Sequence, residues 1–242
     1  MSSARKAIPR PGFTLLEAMV AVAILSGILL TALLAIHSST DMTNMESARN
    51  NMERSNQEAL DKLALELRDA APRVVTVAGD GSSIQFQIPV DLNANGTVLD
   101  GNANIEFGFT DRNGFPQSGT ITYRFVQNTV GGQPELLDEA ALGMDLNNDG
   151  DSSDRFVRGR LVRATRVTGW PEVQDPLPIG LWIIQPAGNL GGDVSGDGAA
   201  DPIFQLDPAG GRVLVNLWSM HADGRKNRQM VLSGTSVCLR NR

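Results

Sequence analysis

This 242-residue chain has one cysteine, Cys238, so no intramolecular disulfide can form. Placed between Val237 and Leu239, that cysteine reads as a packed strand residue rather than a reactive one. Histidine is almost as scarce, with only His37 and His221. His221 stands two residues from Asp223, which is at most a fragment of a catalytic triad. No phosphate loop, no Cys/His zinc spacing and no Gly-x-Ser-x-Gly elbow occurs, so nothing points to an enzyme. Basic charge is also short. The net charge is −6, and three of the 21 cations (Arg5, Lys6 and Arg10) precede Gly12, leaving 18 against 27 acidic residues. That balance argues against a nucleic-acid-binding surface. Arg158, Arg160, Arg163 and Arg166 cluster locally and read as the solvated face of a strand. Trp170, Trp182, Trp218 and Tyr123 read as core rather than as a binding platform.

What is present begins with Pro9 to Ile36, PRPGFTLLEAMVAVAILSGILLTALLAI. Nineteen residues from Ala18 to Ile36 carry no charge, long enough at about 1.5 Å per residue to cross a hydrocarbon core of roughly 30 Å. The cations before Gly12 place the N-terminus in the cytoplasm and the chain after His37 outside it, as a single-pass protein of the inner (cytoplasmic) membrane. Glu17 is the anomaly, because a carboxylate at a membrane helix end is costly and marks function by default. No small-x-small site follows the apolar run, so an ordinary signal peptide fits poorly. An uncleaved anchor remains open.

Beyond the span, Asp41 to Ala71 holds no proline or glycine. Met45, Ala48, Met52, Leu60, Leu63, Leu67 and Ala70 follow the three/four spacing of an amphipathic helix, which Pro72 ends. The reading is one helix from Phe13 to Ala71, with Asn50, Asn51, Ser55 and Asn56 as a weak middle. Strands are expected at Arg73–Ala78, Ile84–Val90, Ile105–Thr110, Thr120–Gln127, Phe156–Val167, Gly180–Gln185, Arg212–Ala222 and Met230–Arg240. Hairpin turns are expected at Gly79–Ser82, Asp111–Gly114 and Asp223-Gly224. One long helix followed by short, hairpin-linked strands is an α+β fold with an antiparallel sheet. The expected divisions are a leader (1–12), a transmembrane helix (13–37), its amphipathic continuation (38–71) and a β-rich domain (72–242).

Three loops share one pattern, Asp-x-(Asn/Ser)-x-(Asp/Asn)-Gly with a further Asp downstream. They offer Asp91, Asn93, Asn95 and Asp100; Asp145, Asn147, Asp149, Asp151 and Asp154; and Asp193, Ser195, Asp197 and Asp201. Calcium takes six to eight oxygens, and alternate residues around a glycine turn converge on one point. Four Asp within Asp145–Asp154 repel one another without a cation, which makes that loop the strongest calcium candidate. The same residue types also build turns with no ion. None of the loops has the Glu at position 12 of an EF-hand, and no flanking helices are evident.

The run Gly12-Phe13-Thr14-Leu15-Leu16-Glu17 resembles the class III signal of type IV prepilins and type II secretion pseudopilins. The resemblance implies cleavage between Gly12 and Phe13 by a prepilin peptidase and N-methylation of Phe13, with the apolar helix retained. It also implies assembly with other pilin or pseudopilin subunits through that helix, Glu17 included, after residence in membrane lipid. ITYRF at Ile121–Phe125 and TSVCLRN at Thr235–Asn241 are similar to the minor pilins and pseudopilins of the W/J type. Many type IV pilins close a C-terminal loop with a disulfide; this chain cannot. The function implied is a structural subunit of a pilus or pseudopilus, and the alternative is an unprocessed, membrane-anchored calcium-dependent binding module.

Overall fold

A computed structural model of the chain describes residues 14–175, 178–207, 211–222 and 228–239. It divides between Glu46 and Ser47 into two compact units. One helix, Leu15–Asp69, runs through both. It stops two residues short of the sequence expectation because Pro72 forces Ala71 into extended backbone (φ −86°, ψ 142°).

In the first unit every residue from Thr14 to Thr40 is exposed, including large apolar side chains such as Leu16, Ile24, Leu30 and Ile36. By length and composition this segment is able to cross a membrane. Three of its hydroxyls are compatible with lipid because they bond within the helix. Ser26 Oγ donates to Val22 O (2.8 Å), Thr31 Oγ1 to Ile28 O (2.8 Å) and Thr40 Oγ1 to Ile36 O (2.9 Å).

In the second unit the helix turns amphipathic. Met52, Asn56, Ala59, Leu60, Leu63 and Leu67 are buried, while Arg49–Glu53 (2.7 Å) and Arg54–Glu58 (2.8 Å) pair along the solvent side. The stretch expected to be weak is a point of attachment instead. Ser55 Oγ accepts the Leu181 N–H (3.0 Å). Asn56, fully buried, accepts from Ser219 Oγ (2.9 Å) and donates to Ser233 Oγ (3.2 Å). These polar residues lower helix propensity, and their hydrogen bonds hold the helix in register on the sheet.

That sheet is antiparallel throughout. Its path runs Thr76–Val77, Ser83–Phe86, Gly119–Gln127, Arg155–Val167, Gly180–Pro186, Arg212–Ala222 and Phe204–Leu206. Arg228–Cys238 pairs the other side of Arg212–Ala222 along its whole length. The expected Gly79–Ser82 hairpin forms between Thr76–Val77 and Ser83–Phe86. The Asp223-Gly224 turn lies outside the described residues, although the strands on either side pair as expected. Leu60, Leu63, Leu67 and Ala70 of the helix pack on Phe86, Ile121, Leu161, Ile183, Val215 and Leu217. Each fully buried leucine there contributes about 2 kcal/mol. Phe86 and Tyr123 stack with centroids 6.0 Å apart.

Several expectations are corrected. Pro72–Val74 opens what was read as a strand with a 3-10 turn, leaving only Thr76–Val77 extended. The 84–90 strand splits at Gln87, whose Nε2 donates to Gly119 O (2.7 Å). Ile88–Pro89 then joins Phe107–Thr110 in a separate small sheet. The Asp111–Gly114 turn returns the chain to Pro116–Gln117, not to the Thr120–Gln127 strand. Cys238 is exposed, because alternation sends Val237 and Leu239 inward and Cys238 outward. Trp170 is 69% exposed at a turn, whereas Tyr123 is in the core. Arg160 and Arg166 are solvated, but Arg163 has the opposite strand parity and is buried beneath the helix.

Arg163 anchors a buried polar cluster. Its Nε donates to both Glu66 carboxylate oxygens (3.0 and 3.1 Å), and its guanidinium lies 3.6 Å from Asp175. Tyr123 OH donates to Glu66 Oε2 (2.7 Å). Burial, reinforced by the Glu66 charge, pushes the Tyr123 hydroxyl far above the usual phenol range.

Candidate functional site

Gly12 and Phe13 lie outside the described residues. Glu17 lies within them, and it is occupied. Thr14 N and Oγ1 both donate to Glu17 Oε2 (3.0 and 3.1 Å), and the Glu17 N–H donates to Thr14 Oγ1 (3.3 Å). This is a reciprocal capping box, Thr-x-x-Glu, satisfying donors that a helix start leaves open. The acid that looked anomalous in an apolar run therefore has a local partner one turn away.

The second candidate is the Asp145–Asp154 loop. A short helix, Glu139–Leu142, precedes it, capped by Asp138, whose Oδ1 accepts the Ala141 N–H, and closed by Gly143 in the left-handed region. This helix places Glu139 beneath the loop, fully buried. Its carboxylate accepts the N–H of Leu146 (2.5 Å) and of Asp154 (3.0 Å), holding both ends of the loop. Within the loop, Asp145 Oδ2 accepts from Gly150 N (3.0 Å), Asp149 Oδ1 from Asp151 N (2.9 Å) and Asp151 Oδ1 from Ser153 N (2.8 Å). Each is a local turn bond of the kind Asp makes without an ion.

The carboxylates nevertheless converge. Oxygens of Glu139, Asp151 and Asp154 lie within 4.8 Å of one another, a spacing that fits oxygens around a cation bound at 2.3–2.6 Å. Burial, then the Glu139, Asp149 and Asp151 charges, raise the Asp154 pKa above the ordinary Asp value. Asn147 Nδ2 donates to Asp149 Oδ2 (3.1 Å) and Asp154 Oδ2 (2.9 Å), so its amide dipole already compensates part of this charge. Rotating that amide by half a turn presents its oxygen instead.

The third loop packs onto the second. Gly196 (φ +79°) sits so close to Asp149 that a Cβ there would come 2.3 Å from the Asp149 Cβ. Val194 and Leu146, one from each loop, share a small second core with Phe156, Ile184 and Met220. The carboxylates of the third loop serve their own backbone. Asp193 accepts from Gly196 and Gly198 (2.7 and 2.6 Å), and Asp197 from Ala199 (2.8 Å). Asp201 Oδ2 accepts from Val194 and Ser195 (3.0 and 2.9 Å), and Ser195 Oγ donates to Asp193 (3.3 Å).

The first loop behaves in the same way. Asp91 accepts from Asn95 and Gly96, Asn93 donates to Glu106, and Asp100 closes its own turn through Asn102 and Asn104. Those backbone bonds hold the Asp100 carboxyl below the usual Asp pKa. Of the three loops, only Asp145–Asp154 contributes to the converging set found among the described residues, through Asp151 and Asp154.

Glu139 is the residue that sequence spacing missed. It stands six positions before Asp145, outside any calcium-loop pattern, and only the capped turn between them folds it back. The available signal was weak: an acid in the first turn after an Asp cap. No family model, no curated protein and no solved structure matches this chain.

Proposed function

We propose that this protein is a minor subunit of a type IV pilus or type II secretion pseudopilus, anchored in the inner membrane before assembly. The observation that carries the reading is the character of the long helix. From Leu15 to Ile36 it presents apolar side chains on all sides with nothing described covering them, and from Met52 to Leu67 it buries one face under a sheet. A soluble domain gains nothing from the first half. A subunit that leaves lipid for a bundle of like helices requires it. The Gly12-Phe13…Glu17 signal supplies the processing step that belongs to such a life.

Cleavage after Gly12 leaves a positively charged amine on Phe13 at about the depth of Glu17. Burying either charge alone in hydrocarbon costs a few kcal/mol, so pairing Glu17 of one subunit with the Phe13 amine of another relieves both and selects a register. The head-to-tail contact leaves growth open. The capping box requires that Glu17 turn partly from its own Thr14 to make this pair.

Co-expression with a prepilin peptidase tests the reading. The expected result is loss of the first twelve residues and methylation of the new terminus, read by intact mass. An unshifted mass would favour the unprocessed, membrane-anchored calcium-binding module, which the Glu139–Asp151–Asp154 convergence also suits. Glu17→Gln separates charge from capping, because glutamine retains an acceptor for Thr14. Normal cleavage with incorporation reduced at least tenfold, on immunoblots of purified filaments, is expected. Wild-type incorporation would end the pairing role.

The proposal includes calcium, held by Glu139, Asp151 and Asp154 with Asn147 and Asp149 beside them. An ion there ties the second loop, and through Gly196 the third, to the back of the sheet.

A further inference from the structure

Among the described residues the longest edge of the main sheet is unpaired, and from Gln229 to Leu239 the sequence does not guard it. Arg228–Cys238 pairs Arg212–Ala222 on one side, and among the described residues no strand pairs its other side. Elsewhere the sheet protects its margins. The Thr76–Val77 strand is two residues long, and the turn beside it is tied to Phe204–Leu206 through Phe204 N donating to Gly81 O (2.9 Å). Sheet proteins usually blunt a long edge with lysine, proline or an inward charge. From Gln229 to Leu239 this chain has none of these.

The register identifies which backbone groups face outward. Leu239 N donates to Gly211 O (2.9 Å), while Asn216 N donates to Ile203 O (2.9 Å) on the opposite side of the Arg212–Ala222 strand. In an antiparallel ladder bonded pairs alternate. Odd-numbered residues of Arg228–Cys238 therefore bond inward, and Met230, Leu232, Gly234, Ser236 and Cys238 direct N–H and C=O to the free edge. Alongside runs a groove of about 360 Å³, lined by Asp61, Ala64, Leu65 and Arg68 of the helix and by Thr235–Cys238 of the strand. Leu65 is 59% exposed there. Asp61 and Arg68 set one acid and one base about 10 Å apart along the helix.

We infer that this edge accepts an extended strand from a different polypeptide, uncharged through its middle, with an acid beside Arg68 and a cation beside Asp61. Main-chain bonds to the five outward residues supply the pairing, and Leu65 and Ala64 receive alternate apolar side chains. The helix and the edge strand advance together from the Asn56–Ser233 contact, so an antiparallel guest carries its acid N-terminally and its cation C-terminally. A second copy of this chain fits badly. Pairing by the same edge would bring its own helix, roughly 10 Å across, over the same lane. The inference stands on the domain alone and is independent of the pilus reading.

The test uses full-length protein in detergent and the blocked octapeptide VETVTKTV, whose Glu and Lys share one face about 13 Å apart in an extended strand. The sole cysteine, Cys238, lies in the groove and serves as the reporter. At ten times the peptide dissociation constant, maleimide labelling of Cys238 should slow about tenfold, following the free fraction. Ser236→Pro removes an outward N–H without touching the inward ladder, and should abolish protection with the unfolding midpoint preserved. Leu232→Lys, a guard charge on the same edge, should do likewise. Unchanged labelling of the wild type, or equal protection of Ser236→Pro, would overturn strand addition. Protection that grows with protein concentration in the absence of peptide would overturn the choice of a foreign strand. Equal binding of the charge-reversed peptide VKTVTETV would overturn the roles of Asp61 and Arg68.

Discussion

Glu66→Ala is expected to destabilise the sheet domain by about 3–5 kcal/mol, the usual cost of removing one partner from a buried ion pair. Arg163 is only 8% exposed and would keep its charge with Asp175 at 3.6 Å as its remaining described anion. Tyr123, fully buried, would lose the acceptor of its hydroxyl at the same time. For a domain of this size that loss lowers the thermal midpoint by roughly 10 °C. The same principle makes the double replacement Glu66→Leu with Arg163→Met much milder than the single one, because no uncompensated charge remains. Unfolding of the wild type, both single variants and the double variant, followed by circular dichroism in detergent, supplies the cycle. A Glu66→Ala loss below about 1 kcal/mol would show the cluster to be hydrated and dispensable.

Calcium is expected to raise the unfolding free energy by about 2.7 kcal/mol when free ion stands at a hundred times its dissociation constant, and chelator should reverse this. Asp151→Asn isolates the ion's contribution. Asp151 is exposed, and its Oδ1 bonds to Ser153, a contact that an asparagine oxygen retains, so the turn survives. Removing that charge also relieves the carboxylates that raise the Asp154 pKa. The variant should therefore be at least as stable as wild type in chelator and gain much less from calcium. That crossing of signs is difficult to obtain from a purely structural loop. Equal wild-type midpoints in calcium and chelator would remove the ion from the account.

The helix and much of the sheet were legible because their signals are local. A charge-free run, a three/four apolar spacing and a terminating proline need no distant partner to be read, and Leu15–Asp69 follows from them. The Gly79–Ser82 hairpin is legible for the same reason. The split at Gln87 was not, because a hydrogen bond to Gly119, thirty-two positions away, ends one pairing and starts another. Asn56 has a low helix propensity, which marks it as a weakness from sequence, and its buried bonds to Ser219 and Ser233 reverse that meaning. Arg163 lies in sequence among exposed arginines, although one step of strand parity puts it under the helix beside Glu66.

The sequence by itself determined the membrane-competent helix, the α+β class, the absence of an intramolecular disulfide and the acid of the Gly12-to-Glu17 run. Each depends on composition or on spacing within a few residues. Only the tertiary structure decided that Glu17 caps its own helix through Thr14, that Glu139 joins Asp151 and Asp154, and that Arg228–Cys238 is an edge with no second partner among the described residues. Those outcomes depend on which backbone groups find partners after folding, and pairing across a sheet or beneath a loop leaves no periodic trace in the chain.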